Sequence, residues 1–401
     1  MKAEIQRLQM LVENNDCNWW KEVDNHELCD NIWKDAYTEW YKEDYLKAMK
    51  GFQHALTPYV NAWKESFSNS FYDVEPVCDN EEKAQELAKR LLFCAYCELD
   101  GNQLEIARDH LVLCLSILIN SPQFTDGTLR TKEMGSLFDD AFMELMLSME
   151  EIPECRKLAR QVAHMAILSG NCCGWKHPLQ RPGYMVSELE AIPYVPSNEH
   201  PPWCQTLADN WEGILNDYMS VAQSDSLSTV GAGVRGSGHD DHRVIAPGHD
   251  WTEYVLFGTG SRNGDCPLTK ELLQHHVPDA ISLTERGGGE IIFSRLAPGT
   301  HIQAHCGPTN FRWTAHLGLI IPKNSCRIRV EHDWHSWHTG QVLLFDDSFE
   351  HEVRNDSNEE RVVLLLRIWH PGLSEEKRTH VLQEAIQKKQ NAIEKRYHPP
   401  P

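Results

Sequence analysis

Nowhere do the 401 residues contain an unbroken apolar run of about 18, the length a membrane-spanning helix needs. Positive charge is in short supply. The 38 Lys and Arg stand against 59 Asp and Glu, a formal net charge of −21. That balance excludes an extended nucleic-acid surface, which displaces counterions with clustered Lys and Arg, and adsorption on anionic lipid. Met1 to Asp16 lack the basic-then-apolar order of a signal peptide. The 13 cysteines are odd in number and scattered, which does not read as a disulfide framework. A reducing compartment, the cytoplasm, is therefore the expected location. Familiar catalytic words are missing too. Gly287-Gly-Gly289 has no following Gly-Lys-Ser/Thr and is not a phosphate loop, and neither Gly-x-Ser-x-Gly nor His-Glu-x-x-His occurs. Cys94-x-x-Cys97 has no second pair, whereas a structural zinc site takes four ligands, so it reads as helix core.

What is present is enough for two or three domains. With 41% hydrophobic residues and 13 tryptophans the chain is not a disordered one. Residues 1–170 carry apolar positions at helical spacing, with few prolines and glycines. Ala36, Ala48, Phe52, Ala55 and Pro58 lie at offsets that let two antiparallel helices approach closely. Ala95, Ala107, Leu111 and Cys114 repeat part of the pattern 59 residues later. This resembles a tetratricopeptide helix pair, although that repeat is about 34 residues long. Residues 171–250 read as a connecting segment. Trp175 to Gly183 is interrupted by proline and glycine, helical patterning returns over Cys204–Val221, and Ser224–Asp241, rich in Ser, Gly and Asp, reads as a flexible loop.

From Trp251 the period shifts toward two. Glu290–Arg295, Cys326–Val330, Val342–Phe345 and Arg361–Trp369 are short β-rich runs separated by turn residues. Residues 251–373 thus read as a barrel or jelly roll. Residues 374–401 read as a closing helix and tail, with Ser374 as cap, Glu375 and Glu376 in the first turn and Lys395-Arg396 in the last, as the helix dipole favours. The expected class is α+β and multidomain.

His305 and His351 are 46 residues apart, and each sits between a turn and a β run. A barrel can bring both onto its inner wall, where two imidazoles make half of a metal site for iron, zinc, copper or nickel alike. Around them stand His-x-Gly-Pro-Thr-Asn at 305–310, Arg312, His316-Leu-Gly-Leu319, Ile321-Pro-Lys323, Phe345-Asp-Asp-Ser-Phe-Glu-His-Glu-Val353, Arg361 and Trp369-His-Pro371.

Taken together, these words resemble the aspartyl/asparaginyl β-hydroxylases, oxygenases that depend on Fe(II) and 2-oxoglutarate. The resemblance implies a double-stranded β-helix with His305 and His351 as iron ligands. Gly307 stands where most of the wider superfamily places a carboxylate. It implies Arg361 and Ser294 on the distal carboxylate of 2-oxoglutarate and His316 on its other carboxylate. Arg312 and Trp251 fall on the substrate side, and O₂ is the third reactant. The substrate implied is an Asp or Asn side chain in a protein or peptide. The alternatives are a small molecule or lipid, or a non-catalytic helical-repeat binding protein with a degenerate barrel. One position departs: where the animal enzyme carries a second arginine, this chain has Thr314. Cys306 reads as a buried or idle thiol, Asp346 and Asp347 as turn residues, and His332, His335 and His338 as solvated surface. His239 and His242 fall in the flexible loop.

Overall fold

The computed structural model describes residues 26–66, 81–119, 132–150, 152, 155–168, 174–222, 227–229, 250–258, 260–262, 264–323 and 325–400. Two compact units emerge, residues 1–178 with 390–401, and residues 179–389. No helix among the described residues is long and apolar enough to cross a membrane.

The first unit is helical, with α1 (His26–Tyr41), α2 (Tyr45–Ser66), α3 (Glu81–Asp100), α4 (Leu104–Ile119), α5 (Lys132–Glu150) and α6 (Arg156–Leu168). Short turns join α1 to α2 and α3 to α4 into hairpins. Small side chains set the first contact: Ala36, Ala48 and Ala55 are buried, and a Cβ on Gly51 would come within 2.7 Å of the Ala36 Cβ. Trp33 packs on Phe52, ring centroids 4.3 Å apart. Ala95, Ala107, Leu111 and Cys114 are likewise buried in the second hairpin. The two turns pass through the left-handed residues Glu43 (φ 64°) and Asn102 (φ 57°), at the same 59-residue offset that separates Ala36 from Ala95. Inside this unit Glu98 is buried, 2.8 Å from His110 Nδ1, and accepts a hydrogen bond from Gln53. Cys94 lies in the core and Cys97 is half-buried.

The second unit holds β1 (Tyr194–Val195), α7 (Pro202–Asp209), α8 (Trp211–Ala222), β2 (Ser228–Thr229), β3 (Trp251–Phe257), α9 (Pro267–His276) and α10 (Pro278–Glu285). There follow β4 (Ile291–Leu296), β5 (His301–His305), β6 (Arg312–Ile320), β7 (Cys326–Val330), β8 (Asp333–Ser336), β9 (Val342–Phe345), β10 (His351–Asn355) and β11 (Arg361–Trp369). All pairings are antiparallel. The larger sheet runs β1-β9-β6-β11-β4-β3-β2 and the smaller β5-β10-β7-β8. Successive strands from β4 onward therefore alternate between the sheets, except that β7 and β8 share the smaller one.

Strand periodicity sorts the side chains. Trp313, Ala315, Leu317, Leu319, Val362, Leu364, Leu366 and Ile368 pack outward under α7, α8, α9 and α10. Val363, Leu365, Ile328, Val330, Phe345 and Val353 fill the space between the sheets. With both faces covered, β6 and β11 are buried almost throughout, which is why β11 reads as a continuous apolar run rather than an alternation.

The boundaries expected from sequence need correcting. Residues 179–222, read from sequence as part of a connecting segment 171–250, belong to the second unit. β1 is hydrogen-bonded to β9, and Leu207, Ile214, Tyr218 and Val221 belong to the core over the larger sheet. Their apolar face is spent on the sheet, which a composition shift alone does not reveal. The stretch 224–241 with His239, and His242 just after it, lies outside the described residues except 227–229. The closing helix α11 (Glu375–Tyr397) is present, but the chain from residue 390 belongs to the helical unit, where the Trp33 indole donates to the Pro400 carbonyl at 2.9 Å. The segment read as solvated surface contains the edge strand β8. His332 and His338 are exposed, His335 stacks on Tyr194, and Trp337 is buried.

Candidate active site

Antiparallel register makes His305, the last residue of β5, the direct partner of His351, the first of β10. Their ring centroids are 4.2 Å apart. Each Nδ1 lies 2.8 Å from the carbonyl oxygen two residues earlier, Gln303 for His305 and Phe349 for His351. A carbonyl only accepts, so both Nδ1 atoms carry the proton and both Nε2 atoms carry the lone pair. A backbone acceptor that fixes the ligating tautomer is the usual support of a metal-binding histidine. Burial, and then the neighbouring His305, push the His351 imidazole down to about 3, so it stays neutral and able to ligate across the physiological range.

The position of a third protein ligand is closed. A Cβ on Gly307 would meet the Asp347 carbonyl oxygen at 2.7 Å and its carboxyl carbon at 2.8 Å, and the Gly307 N–H donates to that carbonyl at 2.6 Å. Among the described residues no group of three His, Cys, Asp or Glu side chains is placed to hold a metal. What the described residues offer a metal here is two imidazoles.

Asp346 and Asp347 are adjacent, buried and opposite in character. Burial raises the Asp346 carboxyl to about 8, against the pull of its Ser348 hydrogen bonds. It accepts the Ser348 N–H at 2.9 Å, as a turn residue does. Burial would raise Asp347 as well, but the Arg312 and Arg367 guanidiniums outweigh it and hold that carboxyl at about 2. Asp347 Oδ2 is 3.5 Å from Arg312 Nη2 and 3.4 Å from Arg367 Nε, while Oδ1 is buried without a hydrogen-bond partner.

Alternation along β6 places Arg312, Thr314 and His316 on the inner face, and along β11 it places Arg361 there. Arg361 is 2% exposed, and among the described residues no carboxylate pairs with it. Its Nη1 reaches the Ser294 carbonyl and hydroxyl only at 3.4 and 3.5 Å, its Nε has no partner, and its guanidinium lies 4.7 Å over the Trp337 ring. Burial lowers its pKa to about 10. The Trp251 indole donates to Ser294 Oγ at 2.9 Å, so Trp251 stands at this end of the site. Both nitrogens of His316 and Trp337 Nε1 are buried and unpartnered. Burial first, and then Arg361, drive His316 well below the usual imidazole range, so it is neutral. Rings continue the line: His316 to Trp337 at 5.8 Å, His316 to Phe345 at 5.2 Å, and Phe345 to His351 at 5.7 Å. A wall of orphaned donors thus leads from a buried guanidinium to the histidine pair. Buried polar groups without partners call for one. An anionic ligand with a second polar end fits this set.

Residues 208–371 match the sequence model of the family described as Aspartyl/Asparaginyl beta-hydroxylase. Through this segment the chain is similar to the aspartyl/asparaginyl β-hydroxylase family. It is similar to the human "Aspartyl/asparaginyl beta-hydroxylase", 33% identical over 205 residues, or 50% of this chain and 25% of that protein. It is also similar to the human "Aspartate beta-hydroxylase domain-containing protein 1", 31% identical over 49% of each chain. The protein named domain-containing protein 2 from Xenopus tropicalis is 29% identical over 49% of this chain and 52% of its own. The match therefore spans a quarter to a half of these relatives' lengths. A solved prolyl hydroxylase from Trichoplax adhaerens, in complex with a hypoxia-inducible-factor peptide, overlaps with a TM-score of 0.28 at 15% identity. The overlap covers 55% of this chain and 93% of that one.

Within this matching segment, the structure brings His316, Arg361, Ser294 and Trp251 on the larger sheet and His305 and His351 on the smaller one to the space between the two sheets. It places Arg312 deeper, donating to the Gly288 carbonyl at 2.9 Å and facing Asp347. Cys306 is buried, its thiol near the Leu179 carbonyl. Three contributors escaped sequence reading. Trp337 was hidden among exposed histidines, Asp347 was weighed only as a turn residue, and Arg367 looked like an interruption in an apolar strand. Alternation from Arg361 would have put Arg367 on the inner face, which was the available signal.

Proposed function

We propose that this chain is an Fe(II)- and 2-oxoglutarate-dependent hydroxylase that acts on the β-carbon of Asp or Asn side chains in a protein or peptide. The observation that carries the reading is Arg361. It is a buried guanidinium with no carboxylate counter-ion among the described residues, facing the same space between the sheets as two imidazoles whose tautomer is fixed for ligation. An uncompensated buried charge is costly, and a carboxylate suits a guanidinium fork. The strand order β9-β6-β11-β4 over β5-β10-β7-β8 supports a double-stranded β-helix. The repeated hairpins support a tetratricopeptide-like array, whose concave faces commonly grip peptides. The buried thiols of Cys29, Cys94, Cys114, Cys204, Cys266 and Cys326, none of them in a disulfide, support a reducing, cytoplasmic setting.

In this reading His305 and His351 hold the metal. Arg361 and Ser294 bind the distal carboxylate of 2-oxoglutarate, with Trp251 orienting the Ser294 hydroxyl. Neutral His316 faces the other carboxylate. When bound, the metal and 2-oxoglutarate supply the oxidising chemistry: O₂ is reduced, CO₂ is lost, and a substrate C–H becomes C–OH. The protein's own work is to aim the substrate and keep water out. Arg312 lines the substrate side, clamped by the Gly288 carbonyl and Asp347.

The test is O₂-dependent release of CO₂ from 2-oxoglutarate by the iron-loaded protein, without substrate and then with peptides carrying Asp or Asn. Release that His351→Ala abolishes, with a peptide gaining one oxygen atom, is the expected result. A folded, iron-loaded protein that releases none overturns the reading and favours a binding module with a degenerate barrel.

A further inference from the structure

Thr314 is the one departure from the family's words on the inner face of β6. Its direct register partner on β11 is Arg367. Arg367 occupies the same face of β11 as Arg361, so its side chain enters the region that an arginine at 314 would have filled. Its Nε lies 3.4 Å from Asp347 Oδ2, and its Nη1 pairs with Glu290 Oε1 at 2.5 Å. The Arg367 backbone N–H donates to the Glu290 carbonyl at 3.3 Å, so main chain and side chain fix the same neighbour. On the other side of the carboxylate, Arg312 Nη2 stands 3.5 Å from the same Oδ2. Asp347 Oδ2 is therefore held between a guanidinium from β6 and one from β11. The clamp turns Oδ1 toward the notch at Gly307, where an added Cβ would be 2.9 Å from it.

We infer that Arg367 is a positioning residue. It supplies from β11 the guanidinium that position 314 lacks, and with Arg312 it locks the Asp347 carboxylate beside the histidine pair. The cation has been transposed across one register pair. Glu290 holds Arg367 at the correct reach, because a lone arginine on β11 could swing to solvent: its side chain keeps 16% of its exposure. The inference rests on the hydroxylase reading only in that Asp347 serves the metal site.

Two measurements on the full chain test it. The first is unfolding by denaturant of the metal-free protein, which does not depend on the hydroxylase reading. Arg367→Leu lowers the midpoint, Asp347→Asn lowers it too, and the double variant is no worse than Asp347→Asn alone, because contacting residues are not additive. Thr314→Arg combined with Arg367→Leu restores most of the loss. Additive losses, or no recovery with Thr314→Arg, overturn the inference. The second is titration with Co(II), read by its visible absorption on coordination. Arg367→Leu weakens Co(II) binding by about tenfold, as loss of an outer partner of a metal site does, and the Thr314→Arg transposition recovers it. An unchanged Co(II) affinity in Arg367→Leu, beside a loss in Asp347→Asn, also overturns the inference. Wild-type protein that binds no Co(II) overturns the hydroxylase reading instead, while the unfolding cycle still decides the role of Arg367.

Discussion

His305 and His351 are partners in one β-ladder, and each donates its Nδ1 proton to the carbonyl two residues behind it, at the same 2.8 Å. Both ligating nitrogens are therefore set by backbone, not by side chains that a single mutation can remove. His305→Ala or His351→Ala should each abolish metal-dependent 2-oxoglutarate turnover. Each should leave the sheet intact, since the ladder does not depend on the rings. Circular dichroism with Co(II) titration checks this. Full turnover in both variants would show that the metal lies elsewhere.

The other end of the site makes a separable prediction. Arg361→Met removes the buried guanidinium that the proposal assigns to a distal carboxylate. A hydrogen bond to a charged group contributes about 1.5–3 kcal/mol, which is roughly a 10- to 100-fold rise in the KM for 2-oxoglutarate. Trp251→Phe removes one donor to Ser294 Oγ and should raise the same KM by only about tenfold or less. The metal affinity should stay unchanged in both. If Trp251→Phe altered the KM of a peptide substrate alone, Trp251 would belong to the substrate groove and not to the cosubstrate end.

Legibility in the sequence followed chemistry. β7, β9 and β11 were readable to the residue, because their apolar runs are bounded by turns. β6 was recognised as a motif but not as a strand: its inner positions Arg312, Thr314 and His316 are polar because they build the site. β5 failed for the same reason, as His301-Ile-Gln-Ala-His305 has little apolar pattern. Site residues that form words along the chain were found. Arg367 was not, since its meaning depends on being opposite Thr314, and register is invisible before folding. Trp337 needed the barrel to close before its burial could be known.

One and the same fall in pH should act on the second unit with opposite signs through neighbouring groups. His351 is held at about 3 and His316 well below its usual value. The unfolded chain binds protons there that the folded one refuses. Metal-free stability should therefore fall as pH drops from about 6.5 toward about 3. Asp346, raised to about 8, works the other way. The folded state keeps its proton where the unfolded state loses it, so its contribution is full below about 3.9 and is lost as pH rises toward 8. Asp346→Asn removes that loss, and Gln180 Oε1, buried without a partner beside it, is available to accept the new amide. The variant should gain more stability at pH 8 than at pH 5, read by denaturant midpoints. Equal shifts at both would show that Asp346 ionises normally.

Gly307 carries the last prediction, and it concerns why no side chain stands at this position. Restoring a carboxylate by Gly307→Asp looks like a repair in sequence. In the structure the new Cβ would press on the Asp347 backbone oxygen at 2.7 Å, and that oxygen is fixed by the Gly307 N–H. Backbone cannot rotate away as a side chain can, so the strand end must move, at about 1–3 kcal/mol for overpacking. The displaced Asp347 carboxylate would also face a second buried acid. Gly307→Asp should therefore lose turnover and stability together, and Gly307→Ala should lose stability with a smaller loss of turnover. Thermal unfolding and CO₂ release on the pair of variants separate the steric part from the charge. Gly307→Asp binding Co(II) more tightly than wild type would mean that the notch opens, and that the carboxylate is missing for a reason other than space.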